Sequence, residues 1–91
     1  MELLEDAARR AITFLQSLEH RPVRADPGAA ARLDELLVPA PRHATPDREV
    51  LAQLDEYFSP ATIASAGPRF FGFVIGGALP ATVAANWLAT A

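Results

Sequence analysis

Between Pro68 and Pro80 the chain reads Pro-Arg-Phe-Phe-Gly-Phe-Val-Ile-Gly-Gly-Ala-Leu-Pro, a bulky apolar run that opens on a proline and breaks at a double glycine. Such a run suits neither an amphipathic helix, whose apolar positions recur every three or four residues, nor a solvated loop. It predicts a short buried extended segment over 69–75, then a sharp turn at Gly76-Gly77. A new helix then begins at Pro80, where the missing N–H leaves no helical bond unmade.

The remainder reads as helices separated by prolines. Leu4, Ala8, Ala11, Leu15 and Leu18 alternate at four and three, which makes one apolar face of a helix near 2–20. Glu5–Arg9 and Asp6–Arg10 are acid-first i,i+4 pairs on its solvated side, and Pro22 stops it. Asp26-Pro27 is a cap followed by a first-turn proline, predicting a helix near 28–37. Thr45-Pro46 repeats that signal for a helix near 46–58, with Val50, Leu51, Leu54, Tyr57 and Phe58 as its stripe. Ser59-Pro60 ends or kinks it, with Ala61–Ala66 available for one more turn. The last helix, near 80–91, stacks Val83 on Trp87 and carries no C-terminal cap signal, as if the pattern were interrupted. The expected fold class is mainly α, about four helices plus a short extended segment.

Composition removes several functions. A net charge of −3 gives no electrostatic footprint for nucleic acid, and without cysteine there is no disulfide framework or thiolate chemistry. The acidic start Met1-Glu2-Leu3-Leu4-Glu5-Asp6 is unlike a signal peptide, and a cytoplasmic location is expected. Phe70–Ala91 is uncharged for 22 residues, the length of a membrane span. Gly76-Gly77, Pro80 and Asn86 interrupt that run, and five of its last eleven residues are alanine, so a core segment of a soluble fold is expected instead.

Catalytic constellations are missing from the pattern. His20 and His43 lack a ligand or carboxylate at useful spacing, and the adjacent acids Asp34-Glu35 and Asp55-Glu56 point to different sides of their helices. Ser17, Ser59 and Ser65 lack a nucleophile-elbow context, and Gly72 with Gly76-Gly77 has no phosphate-loop spacing. All eight basic residues are arginines, so there is no lysine amine for a Schiff base. Of the aromatic cluster, Phe70 or Phe71 is expected to face a core. Phe73 to Gly77 has the makings of a pocket wall, because glycines beside an aromatic let backbone approach a ligand closely.

In the order PRFFGF-x-x-GG-x-x-P, followed by an alanine-rich helix, the chain resembles the N-terminal region of the group II pyridoxal-phosphate-dependent amino-acid decarboxylases. The likeness extends loosely upstream, through Leu18-Glu19-His20-Arg21-Pro22-Val23 and the helices that follow. It implies that residues 1–66 form a helical flap of an α/β fold-type-I enzyme, lying across the partner subunit of a homodimer. Residues 67–91 would line the substrate pocket and supply the first helix leading into a cofactor domain. The resemblance assigns the pocket wall to Phe73, Val74, Ile75, Gly76 and Gly77, with Gly76 nearest the bound amino acid. It implies a carboxy-lyase using pyridoxal 5'-phosphate, with the cofactor-binding residues beyond Ala91.

Members of that group often carry histidine where Gly67 stands, tyrosine in place of Phe73, and a more aromatic, hydroxylic run in place of Val74-Ile75-Gly76. Those departures leave the amino-acid substrate open. The other class of reading is a stand-alone helical interaction module, membrane-associated through 70–91. The missing lysine makes one expectation independent of either reading. Pyridoxal phosphate added to the purified chain should give no Schiff-base absorbance beyond that of its N-terminal amine. A stoichiometric band surviving a block of that amine would contradict it.

Overall fold

In a computed structural model, described for residues 1–73 and 76–91, the chain is mainly helical, with no strand among the described residues. Helix α1 spans Glu2–Ser17, and α2 spans Pro27–Arg32 and tightens into a 3₁₀ turn over Leu33–Leu36. Helix α3, Asp47–Gln53, widens into a π turn over Leu54–Phe58 and ends in a single turn, α4, at Ser59–Ala61. Helix α5 spans Pro80–Thr90. These four helical segments fall where prolines and periodicity place them. Among the described residues no helix is long and apolar enough to cross a membrane.

Local chemistry accounts for most of the boundaries. The Asp26 carboxylate accepts from the Gly28 and Ala29 N–H groups, both at 3.3 Å, with Pro27 at the first helical position. Thr45 does not repeat that role. Pro46 occupies the cap position of α3, with no side-chain cap, and its carbonyl accepts from the Glu49 and Val50 N–H groups. The π turn lies just before Pro60, whose ring would press on the Glu56 carbonyl in a regular α-helix. A wider turn relieves that clash. Beyond Ala61 the backbone leaves helix at once, with Thr62 extended, so no further turn runs to Ala66.

Segment α3–π–α4 runs parallel to α1. Arg48 bonds Glu2 near the start, Arg10 bonds Asp55 in the middle, and Arg21 reaches the Ser59 carbonyl at the end. Helix α5 lies antiparallel on another side of α1. Trp87 and Thr90 face Leu4 and Ala8, while Pro80 and Val83 face Leu15 and Leu18. The expected Val83–Trp87 stripe is therefore the side of α5 turned toward the expected apolar face of α1. The α2 region is tied to the π turn through Tyr57, whose hydroxyl donates to Glu35 at 2.8 Å and whose ring underlies the Arg32 guanidinium at 4.8 Å.

Very little of this is sealed from water. Among the described residues only Ala29 and Ala64 are buried, and Val50, Leu54 and Phe58 of the α3 stripe are exposed. Surface scaling gives about 5,100 Å² for a compact chain of this mass, whereas this one exposes 7340 Å². Its radius of gyration is 15.0 Å, against about 12 Å for a compact domain of this length.

Gly67 occupies the tightest backbone junction. A Cβ there would lie 3.2 Å from the Leu18 and Ala64 carbonyl oxygens, neither of them on a flexible side chain. Gly67→Ala should cost roughly 1–2 kcal/mol. Gly28→Ala, where the nearest atom is a carboxylate oxygen at 3.8 Å, should be neutral or stabilising by up to about 1 kcal/mol. Urea unfolding followed at 222 nm measures both. Equal effects would mean the 67–18 junction is not tight in solution.

Candidate functional site

The candidate wall hangs from a well-bonded strap. The Ala64 N–H donates to the Pro22 carbonyl at 3.0 Å, the Gly67 N–H to Ala64 at 3.0 Å, and the Phe70 N–H to Gly67 at 3.4 Å. The Arg69 guanidinium bonds the Arg21 carbonyl, so two successive residues after α1 hold the strap by their backbone oxygens. The two carbonyls lie just beyond the end of α1, where helical partners have run out.

The segment over 69–73 departs from the expected buried extended run. Arg69 lies in a turn, Gly72 in a bend and Phe73 in a turn, and Phe73 takes a φ of 58°. Phe70 is half-buried, while Phe71 and Phe73 are 92% and 89% exposed. The Phe70 and Phe73 rings stack at 6.4 Å between centroids, with 23° between their planes. This pairing helps offset a left-handed conformation that costs a non-glycine residue roughly 1–2 kcal/mol. Among the described residues no glycine has a positive φ, so the reversal falls at Phe73 and not at the double glycine.

Val74 and Ile75 lie outside the described residues, and with them the middle of the predicted wall. Gly76 and Gly77 are exposed. A Cβ at Gly76 would meet no described atom within 4 Å, and one at Gly77 would lie 3.5 Å from the Ala66 carbonyl. The described clefts lie elsewhere. One of about 320 Å³ runs between α1 and the π turn, and two of about 340 and 350 Å³ lie between α1 and α5. Phe73, Gly76 and Gly77 line none of the three, so the structure brings the wall residues to a surface and not around a cavity of this chain.

Two arginines organise what polar structure there is. Arg10 donates to Asp6 at 3.0 Å and to Asp55 at 2.8 Å, joining α1 to the π turn. Asp6 also accepts from Arg9, so the expected Glu5–Arg9 pair is replaced by an i,i+3 pair to the same carboxylate. The hydrogen bonds from Arg9 and Arg10, in that order, hold the Asp6 carboxyl below its ordinary value of 3.8, and those to Asp6 and Asp55 raise Arg10.

Arg21 donates from Nε to Ser17 Oγ at 3.0 Å and from Nη1 to the Ser59 carbonyl, with a longer contact to Thr62 at 3.4 Å. Its guanidinium lies 4.4 Å from the centre of the Phe14 ring. These residues escaped the sequence pattern because the apolar stripe of α1 drew attention away from a second one. Arg10, Phe14, Ser17 and Arg21 recur at four, three and four. Two arginines flanking an aromatic on a helical period were the available signal.

Among the described residues, no three histidine, aspartate or glutamate side chains converge to hold a metal. Pyridoxal phosphate does not fit the donors present either. There is no lysine, and the half-buried guanidiniums of Arg10 and Arg21 are already engaged. No protein-family model matches the chain, and neither a curated protein nor a solved structure matches it.

The ion pairs set a pH dependence. A carboxyl held low in the folded state stabilises above its unfolded value, and that stabilisation is lost as pH falls through the folded value. The Asp6 contribution is complete above 3.8 and should disappear progressively below it. Asp6→Asn should flatten the acid limb of a helical-signal titration. An unchanged limb would mean that Asp6 is free in solution.

Proposed function

We propose that these residues form the N-terminal region of a pyridoxal-phosphate-dependent amino-acid carboxy-lyase. Residues 1–66 serve as a helical flap against a partner subunit, and 67–91 as a pocket wall and the helix that enters the cofactor domain. The observation that carries the reading is the Pro68–Pro80 order itself, PRFFGF-x-x-GG-x-x-P, leading directly into α5. Support of a different kind comes from Phe71, Phe73, Leu79 and Leu88. They are 65% or more exposed, which leaves an apolar surface fitted to a covering protein.

The chain's share in such an enzyme is contact and enclosure. Its donors do not fit the cofactor, which would be held by residues elsewhere and would supply the electron sink for decarboxylation. The wall would exclude water and shape the space for the amino-acid side chain. Gly76 leaves that space clear by having no side chain. Phe73 offers a ring without a hydroxyl, which suits an apolar portion of the substrate.

The reading predicts several hundred further codons downstream, including a lysine for the Schiff base. In the full-length enzyme, Gly76→Val should lower kcat/KM at least about tenfold, roughly 1.4 kcal/mol of transition-state stabilisation. Because the added side chain meets no described atom of this chain, the melting temperature should stay nearly unchanged. Normal kinetics with normal melting would remove Gly76 and Gly77 from the site.

A further inference from the structure

Arg21 makes more polar connections between separate parts of the chain than its place after α1 requires. Its side chain bonds Ser17 behind it, and Ser59 and Thr62 thirty-eight and forty-one positions ahead. Its own carbonyl receives the Arg69 guanidinium, and the next carbonyl, Pro22, receives the Ala64 N–H. Ala64 is 1% exposed, the most buried residue described, and Gly67 presses on Leu18. The strap from Ser59 to Phe70 is thus bonded at both ends to one residue. Gly77 then passes alongside the Ala66 carbonyl, so the far side of the wall is referred to the same strap.

We infer that Arg21 is a positioning residue for the candidate pocket wall: by fixing the strap 59–70 to the end of α1 it sets where residues 73–77 lie. The inference rests on the proposed role of those residues as a wall, and adds what holds them there. The guanidinium is suited to the task because its planar fork can address several oxygens while its face stays on Phe14. An ammonium offers a single point of charge and no such face. The contact is unlike the Arg48–Glu2 pair, whose side chains are 73% and 84% exposed and which joins only helix surfaces. Arg48 therefore serves as the control.

The test uses the full-length protein that carries these residues, with Arg21→Met, Arg21→Lys and Arg48→Met variants, and reads hydrogen exchange together with steady-state kinetics. Arg21→Met should speed exchange at the Ala64, Gly67 and Phe70 amides at least about tenfold, while α5 and the interior of α1 stay within about twofold. KM for the amino acid should rise by about tenfold with kcat within about threefold, since a displaced wall weakens ground and transition states alike. Arg21→Lys should fall between wild type and Arg21→Met, and Arg48→Met should match wild type.

Uniformly faster exchange would mean that Arg21 supports stability only, and would overturn the inference. So would unchanged exchange at the three amides, or faster exchange with an unchanged KM. If Arg21→Met yields no folded protein, Arg69→Met removes only the bond returning to the Arg21 carbonyl, and the same readouts decide. Loss of the wall reading itself is seen separately, as normal kinetics in Gly76→Val with the exchange effect of Arg21→Met intact.

Discussion

The guanidinium of Arg21 is placed where α1 has run out of helix, and it closes the loop between the first and third helical segments. A hydrogen bond from a charged donor to a backbone oxygen contributes about 1.5–3 kcal/mol, and stacking on an aromatic adds roughly 0.5–1 kcal/mol at a partly exposed site. Exposed pairs such as Arg48–Glu2 contribute about 0–1 kcal/mol and fade with salt. The difference decides which contact fixes the direction of the chain after Pro22. Parallel alignment of α3 with α1, the burial of Ala64 and the course of the strap all follow from that end of the molecule. Arg10, midway along the same helix, keeps the two segments in register through Asp55.

A structure held this way differs from one held by a core. With two alanines buried and a surface about 2,200 Å² above the compact expectation, hydrophobic burial contributes little to its coherence. An excess of that size exceeds the roughly 800 Å² that one partner contributes to an ordinary protein interface. Helix α5 shows the effect most clearly. Its side-chain hydrogen bonds all return to its own turn or the residue before it, and its outer residue Leu88 is 81% exposed. The sequence offers a reason, because an alanine-rich helix without charge has no face prepared for water.

The legible parts of this fold are those that depend on near neighbours along the chain. Asp26-Pro27 announces α2 because cap and first-turn chemistry act within three residues, and Pro80 opens α5 for the same reason. The illegible parts depend on long-range partners. Nothing beside Arg10 in sequence shows that Asp55 will meet it, and the choice of Asp6 over Glu5 by Arg9 depends on Arg10 being there as well. The reversal at Phe73 was assigned to glycines on conformational preference, and the stacked Phe70 ring accompanies a different choice. Of the candidate wall, the backbone freedom of Gly76 was readable, and its surroundings were not, because the atoms it would face are not in these 91 residues' own clefts.

The π turn over Leu54–Phe58 has a consequence for the lineage of such chains. Winding at i to i+5 lets the helix take in about one residue more than an α-turn over nearly the same rise. That extra residue turns everything after it by close to 100° about the axis. Ser59 presents its carbonyl to Arg21 only with that rotation in place. Relatives shorter by a single residue between 54 and 58 would form an unbroken helix up to Pro60 and aim the Ser59 oxygen elsewhere. Length in this stretch and arginine at position 21 should therefore be inherited as one trait, gained or lost together.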